Sequence, residues 1–482
     1  MRAFSFSLLL VTALGGCAVG PDYHRPALTA PAAFMGANAV AARTAPDLAA
    51  TDAVWWARFD DPLMTSLIAK ALDQNLDAAQ AVARVTQARG GLHAADAALL
   101  PSGSVSGSAA AVRLSRDTLQ GHELAAFGTG RNTQNYEVDL GASWEIDLFG
   151  GLRRDREAAF AQYQASQAGV AAARLTVAAQ VADTYITIRG LQARLAVANE
   201  QVDTQQRLVD TIGLQYRKGL AAELQLRQAE GALAQVRASV PVLQVALDSA
   251  LNAFDVLLGA QPGTYRAELA TPAAIPVAPA ITDIGSPADL LRRRPDLLIA
   301  ERQLAASNAQ IGSAISEFYP KISLSGLLGS AATGPSALFG GGASQAQGVA
   351  GLRWRLFDFG RVDAEIKIAR GRNQEALASY RLSVLRASQD VEDAFSALVN
   401  TETQTQVLAG GETSLARAQQ ASMAAYKGGL VSLIEVLDAD SRLLATRDAL
   451  AQARAANARA AVASFRSLGG GWDASQRLAT GR

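Results

Sequence analysis

Glu435 and Asp438 stand three residues apart in Leu433-Ile434-Glu435-Val436-Leu437-Asp438, a spacing that puts both carboxylates on one face of a helix. Carboxylates placed so repel each other and offer oxygen ligands to a cation. A solvated helix face has the same spacing, and the residues alone leave both readings open. The chain's one cysteine, Cys17, can carry a covalent lipid but cannot form an internal disulfide. The three histidines, His24, His93 and His122, have no partners at metal-site spacing. Gly340-Gly341-Gly342 lacks a following Gly-Lys-Ser/Thr and reads as an external loop rather than a phosphate cradle. Arg292-Arg293-Arg294 could attract nucleic acid or anionic lipid, but reads better as a solvated segment before Pro295, a residue suited to the first helical position. No nucleophile–base pair or metal constellation is visible, which makes an enzyme the remote reading.

The 482 residues are 49% apolar and only 6% aromatic, with 44 basic and 44 acidic residues. A balanced charge argues against nucleic acid as a partner, because phosphate binding needs a basic surface. The apolar excess is largely alanine, which suits long, closely packed helices. Residues 1–16 carry Arg2, an apolar run from Phe4 to Leu14, and then Gly15-Gly16-Cys17. That run is too short to span a bilayer and reads as a signal peptide. Leu14-Gly15-Gly16-Cys17 resembles a bacterial lipobox, with Cys17 lipidated as the mature N-terminus and Ala18 next to it giving an outer-membrane address. No other segment offers 18 consecutive apolar residues, so a membrane crossing has to be a closed β-barrel.

The chain repeats itself. A shift of 219 positions lays Asp77 on Asp296, Pro101 on Pro320, and Ser104, Ser106 and Gly107 on Ser323, Ser325 and Gly326. Farther on the shift becomes 210, laying Trp144 on Trp354, Phe149-Gly150 on Phe359-Gly360, and Tyr216, Gly219 and Leu220 on Tyr426, Gly429 and Leu430. The nine-residue difference falls in the loops between Gly107 and Trp144, and a duplication explains the whole.

Each half predicts a helix, a hairpin, a very long helix, a tight turn and a returning helix. From Asp61 to Leu100 the spacing is helical, ended by Pro101. Tyr136, Val138, Leu140, Ala142, Trp144, Ile146 and Leu148 then alternate with Glu137, Asp139, Gly141, Ser143, Glu145 and Asp147. Ala350, Leu352, Trp354 and Leu356 alternate likewise with Gly351, Arg353 and Arg355. Such strands fit a soluble sheet or a membrane barrel, apolar outward and polar inward; the lipoprotein signal favours the barrel. Glu137, Asp139, Glu145, Asp147, Arg353 and Arg355 would then face the lumen, although strand-to-strand charge pairing would also explain them. After Gly150 and after Gly360, proline-free helical sequence runs for about 66 residues, on the order of 100 Å. Coiled-coil seams are expected at positions such as Ala178, Val181, Tyr185, Ile188 and Leu195, with Gly219 and Gly428-Gly429 permitting the turns. One hairpin per half makes four strands per chain, too few to close a barrel. Three chains give twelve, enough for a water-filled lumen.

These stretches together resemble the TolC-type outer-membrane efflux proteins, in particular their NodT-like lipoprotein branch. The likeness rests on Cys17 to Tyr23, Trp55-Trp56 with Phe59 and Asp61-Pro62-Leu63, Trp144 to Gly150, Leu290 to Asp296, and Tyr426 to Leu430. It implies a trimeric twelve-stranded β-barrel continued by a long α-helical coiled-coil barrel. Its parts are a signal peptide (1–16), a tether and equatorial segment (17–60), a first repeat (61–258, hairpin 102–149), a Pro-rich connector (259–287), a second repeat (288–468, hairpin 321–359) and a tail (469–482). It also implies a passive homotrimeric duct in the outer membrane, docked to an inner-membrane pump and its periplasmic adaptor, carrying drugs or other solutes and closed at rest at its periplasmic tip. Under the resemblance Glu435 and Asp438 line that aperture, where Gln225 and Gln228 stand in the first half. Tyr216, Gly219, Leu220, Tyr426, Gly428, Gly429 and Leu430 form helix-tip turns that meet the adaptor. Lipid on Cys17 is the one covalent group expected, with no other cofactor. The alternatives are an exit duct for type I protein secretion and, remotely, a soluble periplasmic coiled-coil lipoprotein.

Overall fold

The computed structural model describes residues 18–470 apart from 28–30, 44–51, 129, 282–283 and 285; the leader 1–16, Cys17 and the tail from 471 lie outside the described residues. Along the chain run α1 (Pro62–Gln74), α2 (Leu76–Ala98), β1 (Ser102–Arg113), α3 (Leu119–Ala126), β2 (Asn132–Ile146), α4 (Gly151–Arg217) and α5 (Glu223–Leu257). The second half adds α6 (Pro287–Arg293), α7 (Pro295–Ser316), β3 (Lys321–Ala332), β4 (Ser344–Arg353), α8 (Arg361–Lys427) and α9 (Leu433–Ser467). The duplication is visible in the lengths: α4 and α8 have 67 residues each, α5 and α9 have 35 each. The chain folds into two compact units, one made of Met1–Pro26, Val85–Ala165 and Ala300–Tyr380, the other of Ala27–Arg84, Ser166–Ile299 and Arg381–Arg482.

The first unit holds one antiparallel sheet in the order β1-β2-β3-β4. Directly opposed residues share a face, so the registers Ser102↔Ser143, Ser143↔Ser325 and Ser325↔Val349 carry one face through all four strands. That face bears Ser102, Ser104, Ser106 and Ser108 on β1, Glu137, Asp139 and Glu145 on β2, Lys321, Ser323 and Ser325 on β3, and Gln345, Gln347 and Arg353 on β4. The other face bears Val105, Leu140, Trp144, Leu324, Leu328 and Leu352, all exposed in the single chain. Two of the charged residues read as lumen-facing strand positions, Asp147 and Arg355, lie beyond the strand ends, as do Leu148, Trp354 and Leu356. β2 stops at Ile146, and the Asp147 carboxylate accepts the N–H groups of Leu152 (3.3 Å) and Arg153 (2.9 Å), capping α4. β4 stops at Arg353, and Arg355 pairs instead with Glu317 (2.8 Å) and Glu365 (3.1 Å).

In the second unit the core gathers Trp55, Met64, Leu67, Ile68, Val181, Tyr185, Ile186, Phe254, Phe395 and Phe465, with Trp55 stacked on Phe465 at 5.4 Å. The five expected seam positions Ala178, Val181, Tyr185, Ile188 and Leu195 are all buried. α1 starts because the Asp61 carboxylate accepts the Met64 N–H (2.9 Å) and Pro62 fits the first turn; its other oxygen accepts the Tyr185 hydroxyl (2.8 Å). Burial and this carboxylate push the Tyr185 hydroxyl up to about 12, against the pull of Arg189. α5 alone among the described helices has the length and apolarity to cross a bilayer. It also carries Arg227, Glu230, Arg237 and Asp248, and it packs Leu233, Val236, Leu243, Leu247, Leu251 and Phe254 into the protein.

The helix expected from Asp61 to Leu100 is broken. Asn75 turns to an extended conformation (ψ 131°), caps α2 by accepting the N–H groups of Asp77 and Ala78 (2.9 and 3.0 Å), and donates to the Leu257 carbonyl at the end of α5 (2.8 Å). Arg294, read as solvated, is nearly buried: it ion-pairs with Asp296 (2.7 Å) and Asp390 (3.0 Å) and donates to the carbonyls of Ala387 and Ser467. Apart from Asp296, two residues on, these acceptors come from distant helices, so local charge density could not reveal them.

Candidate functional site

The two helix turns are built alike. Gly219 has φ +74°, its N–H bonds the Tyr216 carbonyl (2.9 Å), and the Leu220 N–H bonds that of Gln215 (2.8 Å). Gly429 has φ +72°, with the N–H groups of Gly429 and Leu430 bonding Tyr426 and Ala425 (both 2.9 Å). Each is a Schellman close, whose left-handed position suits a residue without Cβ. Gly428 is ordinary by comparison, its N–H continuing the helix to Ala424 (3.1 Å). Both turns present an exposed leucine, Leu220 and Leu430, while Leu208, Ile212, Ala229, Leu433 and Val436 pack beneath them. Beside them Thr211, Gln215, Met423, Tyr426 and Lys427 line a groove of about 580 Å³, across which the Tyr426 hydroxyl donates to Gln215 (3.4 Å).

Glu435 sits in the first turn of α9, where the Ser432 hydroxyl and backbone N–H groups hold its carboxyl below the usual range. Asp438 is exposed and paired with Arg442 at 2.8 Å, a counter-charge one turn along that dilutes any acidic ring. In the first half Gln225 accepts the Ala222 N–H (3.2 Å), while Arg227 joins Glu223 (3.3 Å) and Glu230 (2.9 Å). Glu223 therefore does bring an acid to the first turn, but a paired one. Asp440, two residues beyond Asp438, is buried. Burial pushes its carboxyl up, and amides meet it: Gln205 donates to it at 3.3 Å and a hydrogen bond from Gln419 opposes the rise.

On the polar sheet face, Gln345 of β4 donates to Asp139 of β2 at 2.8 Å, reaching across β3 where Gly329 leaves room; a Cβ there would overlap the Asp139 carboxylate. Glu137 accepts from Asn135 (2.6 Å). Lys321 bridges Glu145 (3.8 Å) and Glu317. Arg353 stands opposite Lys321, with all of β3 between it and the acids of β2, so the opposite charges of β2 and β4 are not a cross-strand pairing within the chain.

A third feature, read from sequence only as a tether, has contacts that the sequence did not show. Residues 18–23 form a strap: the Val19 N–H bonds Phe149, Arg154 bonds Val19 (3.1 Å) and Asp22 (2.8 Å), and Asn308 bonds Pro21 (3.0 Å). The Tyr23 hydroxyl donates to the buried Glu301 at 2.6 Å. Burial alone would raise the Glu301 carboxyl, but hydrogen bonds from Arg302 and Tyr23 hold it below the usual range. A Cβ on Gly20 (φ +96°) would strike the backbone of Gly312, and one on Gly312 would strike the Val19 carbonyl oxygen and the Arg154 side chain. Among the described residues no three His, Cys, Asp or Glu side chains converge as a metal site.

Residues 67–260 and 287–470 match the family described as outer membrane efflux protein. The chain belongs to that family. It is similar to the outer membrane protein OprJ of Pseudomonas aeruginosa, 31% identical over 490 residues that cover 100% of this chain and 98% of that protein. The cation efflux system protein CusC of Escherichia coli is 29% identical over 471 residues, 95% of this chain and 97% of that one. Among solved structures, the outer-membrane channel OprN superposes with TM-score 0.84 at 32% identity, covering 95% of this chain and 100% of that one. The protein is an efflux channel subunit of the outer membrane, and its sheet and long helices are the parts from which such channels are built.

Proposed function

We propose that three copies of this chain form the passive outer-membrane duct of a tripartite efflux system, receiving solutes from an inner-membrane pump through a periplasmic adaptor. The observation that carries this reading is the sheet. A single register makes one face serine-rich and charged and the other apolar, while β1 and β4 keep unpaired edges that lipid does not tolerate. Twelve strands from three copies remove those edges and enclose a polar lumen lined by Glu137, Asp139, Glu145 and Arg353, with Asp147 and Arg355 at its base.

Glu435 and Asp438 form the gate at the periplasmic end, three copies bringing six carboxylates together. The turns at Tyr216, Gly219 and Leu220 and at Tyr426, Gly428, Gly429 and Leu430, with their exposed leucines, offer the adaptor its docking points. Cys17 carries the lipid anchor: the strap that begins at Ala18 lies against Gly150, immediately after β2, which suits a lipid held at the membrane boundary. Relatives named for cation efflux and for pyoverdine export share 29% and 31% identity with this chain, which supports cargo selection by the pump rather than by the duct.

Electron microscopy of the detergent-extracted protein tests the reading. The expected particle is a threefold hollow cylinder well over 100 Å long, from helices of 67 residues plus the barrel. Compact particles without threefold symmetry overturn it.

A further inference from the structure

The proposed barrel has an inward and an outward surface, and their charges differ. The inward face carries Glu137, Asp139, Glu145, Lys321 and Arg353. On the outward face of the four strands every residue is uncharged except Arg113, the last residue of β1, which stands opposite Asn132. A guanidinium on the lipid side of a barrel is costly at the bilayer midplane and nearly free at the interface. The height of Arg113 therefore decides what it meets.

The strand registers set that height. The outward apolar rows begin at Ile146, Ile322 and Leu352, at the helix ends of the strands, and finish at Tyr136 and Ala332 toward the loops. From Ile146 to Tyr136 the chain advances about 34 Å, which a tilt of about 40° turns into about 26 Å, the height of the apolar band on such barrels. Above Tyr136 the outward side of β2 turns polar, with Gln134, which accepts the Tyr136 hydroxyl (3.3 Å), and then Asn132 beside Arg113. That last row stands about 10 Å above the band, at the level of lipid headgroups. Only the first hairpin reaches it. β3 ends at Ala332, level with Tyr136, and residues 333–343 include no charged side chain.

Arg116, three residues beyond Arg113, is exposed too. Among the described residues neither guanidinium has an ion pair or a side-chain hydrogen bond, although Asp117 and Glu123 share the loop. Arg131 differs: its carbonyl accepts the Leu114 N–H (2.8 Å), and the register continued by that one step sets it, half-buried, on the inward row. We infer that Arg113, assisted by Arg116, binds the phosphate groups of lipid headgroups in the outer leaflet, so that three such contacts ring the duct and fix its height in the membrane. A phosphate presents paired anionic oxygens to which a guanidinium fork donates bidentately. Asn132, directly opposite on the same face, adds an amide donor. Uncharged headgroups offer no such match.

The inference rests on the three-copy membrane reading, which alone sets this face against lipid, and lipid retention separates the two. The full-length protein is inserted into phosphatidylcholine vesicles doped with lipid A, which bears two phosphates, or with dephosphorylated lipid A. It is then re-extracted, and the lipid carried by each chain is counted by mass spectrometry. The unaltered protein is expected to retain lipid A severalfold over its dephosphorylated form. Arg113→Gln should lower that retention about fivefold, and Arg116→Gln added to it should lower it further, both effects shrinking as salt is raised. Arg131→Gln, on the inward row, should change nothing. Equal retention of the two lipids by the unaltered protein overturns the site, and that comparison needs no variant to assemble. Unchanged retention in Arg113→Gln, or an equal loss in Arg131→Gln, also overturns it, and each of these results leaves the duct standing. A monomeric mass for the unaltered protein, or its release from membranes without detergent, overturns the three-copy reading itself.

Discussion

Asn75 and Arg294 occupy the same place in the two halves, 219 positions apart, and share neither size nor charge. Each stands at a break between two helices, and each donates to the carbonyl at the end of a returning helix, Asn75 to Leu257 (2.8 Å) and Arg294 to Ser467 (3.2 Å). The glycines that follow those helices repeat as well: a Cβ on Gly259 would lie 2.6 Å from the Gln74 carbonyl oxygen, and one on Gly469 would lie 3.0 Å from that of Arg293. The same holds where the strands begin, where the indole of Trp144 donates to Leu99 (2.9 Å) and that of Trp354 to Phe318 (3.0 Å). The duplication has preserved acceptors and backbone paths while side chains changed around them. A helix C-terminus turned away from water needs a donor, and a short amide or a long guanidinium both supply one.

The comparison can be broken most decisively at the helix turns, where the two halves share a backbone but not a charge. Glu435→Gln with Asp438→Asn is expected to raise single-channel conductance in planar bilayers and to weaken block by divalent cations about tenfold, the equivalent of 1.4 kcal/mol. The converse, Gln225→Glu with Gln228→Glu, should lower conductance and strengthen block. Unchanged conductance in both would show that neither turn lines the path.

At the breaks, Arg294→Ala should cost about 2–3 kcal/mol, because it strips buried donors from two carbonyls and leaves Asp296 and Asp390 without their partner. Asn75→Ala should cost about 1–2 kcal/mol, from a lost cap and an orphaned carbonyl. Guanidinium midpoints of the extracted protein read both, and a neutral Asn75→Ala beside a damaging Arg294→Ala would deny the two positions a common task. Gly219→Ala and Gly429→Ala should each cost about 1 kcal/mol for forcing a side chain into the left-handed region. Unequal costs would show that the two turns are strained differently.

The smallest effect concerns pH. Burial raises the Asp440 carboxyl, so its contribution strengthens as pH falls through that raised value and is lost as pH rises above it. Glu435 has the opposite sign: its lowered carboxyl stabilises above the ordinary range and is lost on acidification. Protection of the α4–α9 amides near Gln205 against hydrogen exchange should therefore rise on mild acidification and stop doing so in Asp440→Asn. Glu230, the repeat counterpart of Asp440, is paired with Arg227, and Glu230→Gln should leave that response intact.

Much of the architecture was legible because it is periodic. Alternation from Tyr136 onward announced β2, and proline-free runs closed by Gly219 and Gly429 announced the long helices and their turns. The features that stayed hidden depend on partners far away in sequence. Arg294 looked solvated because, apart from the neighbouring Asp296, its acceptors sit on α8 and α9. The burial of Asp440 had no local signal, because the amides that meet it come from α4 and α8. Asp147 continued the alternation of β2 in sequence, yet an unsatisfied helix N-terminus five residues on drew its carboxylate away from the sheet. The strap could be read as a tether but not placed, since its contacts to Arg154, Glu301 and Gly312 are set by tertiary structure alone.

The nine-residue difference between the halves lies wholly between the paired strands of each hairpin, and its consequence is evolutionary. The stretch containing Leu119–Ala126 can gain or lose residues without disturbing any register, and it has already acquired an α-helix where the other loop has only the short 3-10 turn Pro335–Ala337. An insertion of one residue inside β1 or β4 would instead invert every side chain beyond it, turning serines toward lipid and leucines toward solute. Change in this protein is therefore channelled: the loops are free to follow whatever lies outside the cell, while the barrel wall admits substitution but not a change of count.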